Sequence, residues 1–68
     1  MTIFIIETDT DWERWEIRML FTVEGNARKA FDQIPAADKH ESPWRLRKIE
    51  SGRNGEILTE KTIMASAI

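Results

Sequence analysis

Four extended-type stretches and one helical stretch divide the chain. Thr2-Ile3-Phe4-Ile5-Ile6-Glu7 is apolar at four consecutive positions, the pattern of a strand with neighbours over both faces, and it is predicted to lie centrally in a sheet. After a polar turn over residues 7–11, Trp15, Ile17, Met19 and Phe21 alternate with Arg14, Glu16, Arg18 and Leu20, which predicts a half-buried strand with the first set pointing inward. From Thr22 the period changes. Val23, Ala27, Ala30, Phe31 and Ile34 fall on one helical face, Thr22 is placed to accept an early backbone N–H, and Pro35 ends the run.

Residues 36–42 (Ala-Ala-Asp-Lys-His-Glu-Ser) are expected to form a polar loop, with Pro43 opening a third extended segment. In Trp44-Arg45-Leu46-Arg47-Lys48-Ile49-Glu50, Trp44 and Leu46 share a side while Ile49 is out of phase, so a bulge is expected near Arg47 and Lys48. The Asn54-Gly55 pair is a tight-turn signal, after which residues 56–62 pair back as a fourth strand. Residues 63–68 carry no charge and are expected to be a frayed or interface-seeking tail beyond a single domain of residues 1–62. The predicted fold is α+β, a four-stranded antiparallel sheet of ββαββ type in the order 2-1-3-4 with one helix packed on one face.

Composition narrows what such a domain can do. With 68 residues and 41% hydrophobic content, the chain is near the size at which one core is only just sufficient. Cysteine is absent, so neither disulfides nor thiolate metal sites hold the fold, which suits a reducing cytoplasm. No secretory leader pattern opens the chain and no apolar run reaches membrane-spanning length, so a cytoplasmic protein is expected. A net charge of −2 argues against broad duplex binding, although local clustering of arginine remains relevant.

No catalytic constellation appears. His40 sits between Lys39 and Glu41 with no nucleophile to serve, and Ser42, Ser51 and Ser66 lie in no hydrolase motif. Asp9, Asp11 and Glu13 have the spacing of hard-cation ligands, but Arg14 and Leu20 stand where a calcium loop needs its glycine and its bidentate glutamate. The expectation is therefore no enzyme activity, no metal and no cofactor. A sheet covered by one helix has a second face, and that face is the functional clue. With Ile3 and Ile5 placed toward the helix, Phe4 and Ile6 would point away beside Arg14, Glu16, Arg18 and Leu20 of the second strand and Arg45 and Arg47 of the third. The opposite phase would put Phe4 in the core and leave the arginines as ordinary solvated pairs. Trp12, in the turn before the second strand, is either a binding anchor or a lid over the core.

Taken together, the apolar first strand ending in Glu7-Thr8-Asp9, the Trp-rich second strand, the helix led by Phe21-Thr22-Val23-Glu24, and Trp44-Arg45-Leu46-Arg47-Lys48-Ile49-Glu50 before a tight turn resemble small bacteriophage proteins. Some phage-encoded anti-CRISPR proteins share this size and ββαββ order. The resemblance spans about residues 2–62 and implies a non-enzymatic inhibitor that occupies a surface of a bacterial host protein or ribonucleoprotein complex. The expected contacts are Phe4, Trp12, Arg14, Arg18, Arg45 and Arg47. The alternatives are a small nucleic-acid-binding protein using the same face, salt-sensitive through Arg45 and Arg47, and a self-associating module; either a monomer or a homodimer fits.

Overall fold

A computed structural model describes residues 1–10 and 14–66. Strands β1 (Thr2–Thr8), β2 (Glu16–Phe21), β3 (Trp44–Ser51) and β4 (Ile57–Ser66) form one antiparallel sheet in the order β2-β1-β3-β4. Helices α1 (Glu24–Asp32) and α2 (Ala36–Glu41) connect β2 to β3. The α+β class, the strand order and the central position of β1 are as expected, with two helices in place of one.

The core fixes the phase of β1. Phe4 and Ile6 pack with Leu46 of β3 and with Ala27, Phe31 and Ile34 of the α1 segment, flanked by Met19, Phe21, Trp44, Ile63 and Met64. Phe4 therefore lies under α1, 5% exposed, and is not a contact on the open face. Because β1 is apolar on both sides, its phase follows its neighbours, whose bulkiest side chains, Phe21, Trp44 and Leu46, stand on the side that α1 covers. Ile5, Glu7 and Ile3 point the other way.

The ladders carry three register slips, which bear on the other departures. β1 and β2 slip register between Ile6 and Glu7, so that Ile6 faces Met19 but Glu7 faces Ile17 and Arg18 is the extra residue. Met19 and Phe21 stay on the core side while Ile17 crosses to the other. In β3 the register with β1 runs unbroken from Thr8 opposite Trp44 to Thr2 opposite Glu50, so Ile49 is not bulged; it faces Ile3 on the helix-free side. The slips against β3 lie in β4, where Ile63 and Leu58 are the extra residues. β4 also continues past Thr62, because Ile63 and Met64 have core to cover; residues 63–66 are strand and not tail.

The first helix starts without the expected cap. Val23 is the N-cap residue, no side chain caps the turn, and the Ala27 amide donates to the Val23 carbonyl at 3.1 Å. The supposed polar loop contains α2. Its sequence puts Pro35 at the entry, Asp38 in the first turn and Lys39 and His40 in the last, an order that favours a helix start and suits the helix dipole. It buries no residue of its own, which is why hydrophobic patterning passes over it. The Trp44 indole donates to the Asp38 carbonyl at 3.2 Å, and Lys39 stands over the Phe31 ring at 4.9 Å, tying this short helix to the sheet and to α1. The β3–β4 loop closes through the Gly52 amide to the Glu56 carbonyl at 2.8 Å, with Gly55 at φ +82°, a conformation that glycine enters without a Cβ penalty.

Candidate binding surface

Neither helix covers the far side of the sheet, whose composition follows from the register. Leu20, Ile5, Arg47 and Thr62 stand side by side across the four strands, with Ile17, Glu7, Arg45 and Ala65 in the next row and Ile3, Ile49 and Glu60 in the row beyond Arg47. Arg45 and Arg47 are thus on this face as expected. Glu7, which the sequence reading treats as the start of a turn, is at its centre.

Glu7 is 4% exposed. Its Oε1 accepts from the Nε of Arg45 at 2.9 Å and from the Nε of Arg47 at 2.7 Å, and Oε2 lies 3.5 Å from Arg47 Nη2. A carboxylate removed from water requires this kind of charge-assisted pairing. Arg47 also reaches Glu60 with Nη1 at 3.5 Å. Trp15 is half-buried, and the Arg45 guanidinium carbon lies 3.9 Å from the centre of a Trp15 ring, within the range of a cation–π stack. The alternation that marks Trp15 as a core residue is broken at Arg18, and the indole stacks on Arg45 of the helix-free face.

The stems of these side chains form a thin cover. Ile5 points away from α1 yet is 2% exposed, with Arg47 and Leu20 as its cross-strand neighbours; arginine lays its methylenes over apolar surface while its head stays wet. At the β2 border the cover ends, and Ile17 and Leu20 are each 59% exposed. The face therefore pairs an apolar ridge with a guanidinium held in place by Glu7 and Trp15.

The remaining expected contacts are dispersed. Arg14 is exposed ahead of β2, and Arg18 pairs with Glu16 at 3.7 Å on the α2 side, away from Arg45 and Arg47. Trp12, together with Asp11 and Glu13 of the acidic turn, lies outside the described residues. What sequence reading missed is Glu7 and Ile17; Leu20 is on the open face as expected but was not among the expected contacts. A polar residue closing an apolar central strand, opposite two arginines two residues apart, was the available signal for Glu7.

Among the described residues, β2 and β4 are the sheet edges, each paired to a strand on one side only. The regular part of β4, Thr59–Thr62, is bounded by the extra residues Leu58 and Ile63. A two-fold axis through an antiparallel pair sets one residue opposite its own copy, and centring it on this run places Glu60 against Glu60 or Lys61 against Lys61. Bulges and like charges both oppose pairing of this edge with a twin. No protein-family model matches the chain, and no curated protein or solved structure matches it either. Among the described residues, no helix is long and apolar enough to cross a membrane.

Proposed function

We propose that this chain is a non-enzymatic binding domain, a phage or mobile-element inhibitor that occupies a surface on a bacterial host defence complex of the CRISPR-Cas kind, with the helix-free sheet face as its contact. The observation that carries the binding role is the juxtaposition of exposed Ile17 and Leu20 with an arginine already oriented by Glu7 and Trp15. Interfaces draw most of their affinity from a few desolvated apolar and arginine anchors, and a preset guanidinium loses little freedom on binding. The host-complex assignment rests on the resemblance in size and element order.

Phosphate-driven nucleic-acid binding is the weaker reading. On this face the charges of Arg45 and Arg47 are offset by those of Glu7 and Glu60, which leaves little net potential to attract a polyanion. Self-association through β4 is opposed by the charges at the centre of that edge.

The test compares tagged wild-type protein with an Ile17→Asp/Leu20→Asp variant in binding to purified CRISPR-Cas effector complexes, at low and at high salt. Covering the exposed part of both side chains is worth about 2 kcal/mol or more in total, so the variant should bind at least about thirtyfold more weakly while keeping its circular dichroism spectrum. Equal binding by the two proteins removes the face from the interface. Binding that instead collapses steeply with salt favours the nucleic-acid reading.

A further inference from the structure

A second surface lies on the other side of the sheet, where α2 crosses Trp44. A cleft of about 340 Å³ opens between the end of α1 and β2, with Met19, Ile34, Pro35 and Trp44 among its walls. A neighbouring cleft of about 350 Å³ continues past Thr10, Arg18 and Glu41. Asp38 and Trp44 line both, so the two form one groove with an apolar half and a charged half.

Charge is divided sharply around α2. Asp38 and Glu41, three residues apart, line the groove, whereas Lys39 is drawn over the Phe31 ring and His40 lines a separate cavity with Ala36 and Ser66. Among the described residues of the groove wall the one cation is Arg18, which pairs with Glu16 at 3.7 Å. Among the described residues neither Asp38 nor Glu41 is ion-paired, and both stand beside an indole that donates a hydrogen bond to the Asp38 carbonyl.

We propose that this groove binds a peptide segment of a protein partner in which a lysine or arginine adjoins a bulky apolar residue. The apolar side chain fills the space walled by Met19, Ile34 and Pro35, and the cation lies between Asp38 and Glu41 against the Trp44 ring, where carboxylates and an aromatic face attract the same charge. The site is independent of Ile17 and Leu20, which face the opposite side of the sheet.

The test is titration of the intact 15N-labelled protein with acetyl-Lys-Leu-Lys-Leu-amide, with acetyl-Glu-Leu-Glu-Leu-amide as the charge-reversed control. The expected result is a saturable shift of the Trp44 indole N–H, assigned by its loss in Trp44→Phe, together with shifts of the Asp38 and Glu41 amides, and no such response to the control. In Asp38→Asn/Glu41→Gln the apparent affinity should fall by about fivefold or more, as expected for two exposed charge contacts, while amide resonances remote from the groove stay in place. Ile17→Asp/Leu20→Asp should bind the peptide as wild type does, which separates this site from the helix-free face. Silence at Trp44, equal response to both peptides, or unchanged affinity in the neutralised variant overturns the proposal.

Discussion

Replacing Glu7 tests whether the arginine cluster holds the fold together or serves the surface. Glu7 is 4% exposed, and its Oε1 accepts from two guanidinium groups whose side chains are 25% and 19% exposed. In Glu7→Gln the amide oxygen can still accept both bonds, but each changes from charge-assisted to ordinary. With charge-assisted bonds contributing about 1.5–3 kcal/mol and neutral ones about 0.5–1.5, the loss comes to about 2 kcal/mol. For a domain of this size that lowers the thermal midpoint by roughly 10 °C, read by circular dichroism melts and checked by urea titration. A Gln variant within about 0.5 kcal/mol of wild type would show that the bonds between Glu7 and the arginines contribute little to stability.

The companion variant replaces the whole cluster, Glu7→Leu/Arg45→Leu/Arg47→Met. Buried ionic groups exchanged together for apolar ones of similar volume are often neutral or stabilising, by about 1–4 kcal/mol, because the desolvation of the charges is no longer required. The expected outcome is a protein at least as stable as wild type that, under the proposed function, has lost binding through the helix-free face. A triple variant that is markedly less stable, with binding intact, would falsify the view that the cluster is a surface for recognition.

Three further outcomes follow from other parts of the fold. Phe31→Ala removes the ring that joins α1 to Phe4, Ile6 and Leu46 and should cost about 3–5 kcal/mol, enough to leave much of the population unfolded in an equilibrium urea titration. The hydrogen bond from Arg28 Nε to Glu24 at 2.8 Å, helped by Lys48 and Lys61, holds the Glu24 carboxyl below its ordinary value of 4.5. Its stabilisation is complete above the unfolded-state value and is lost as pH falls through the folded one, so wild type and Arg28→Ala should converge in stability with acidification, and carboxyl NMR should place Glu24 higher in the variant. Glu60→Thr/Lys61→Thr takes the like charges from the middle of β4, and analytical ultracentrifugation should then detect more concentration-dependent dimer than in wild type.

Much of the architecture was legible because it is written in periodicity. A four-residue apolar run, a change of period at Thr22, and Asn54-Gly55 between extended segments lead to the observed strand order. Phase was less legible for a physical reason. Ile3, Phe4, Ile5 and Ile6 make β1 apolar on both sides, and only the partners opposite decide which pair lies under the helix. The bulge at Arg18 then divides the cleanest alternation in the chain, carrying Ile17 to the face opposite Met19 and Phe21. Helix α2 buries nothing of its own, so no hydrophobic stripe marks it; Pro35 and the order of Asp38, Lys39 and His40 were its only traces.

The same two-sided apolarity of β1 explains why the helix-free face has its particular chemistry. A central strand with isoleucine on its second face needs cover there, yet α1 and α2 both lie on the first. Arg45, Arg47 and Trp15 supply that cover with side chains that keep a polar edge toward solvent, and Glu7 fixes the guanidinium groups where their stems can screen Ile5. A cover of this kind has already removed water from Ile5 and Glu7 before any partner arrives, while Ile17 and Leu20 at its border have not been desolvated. Under the proposed function, association at this face gains its apolar free energy at the β2 border and its orientation at Arg45, so substitutions at those two places should weaken binding by different routes: Ile17 and Leu20 through a faster off-rate, Arg45 through loss of a geometric requirement on the partner.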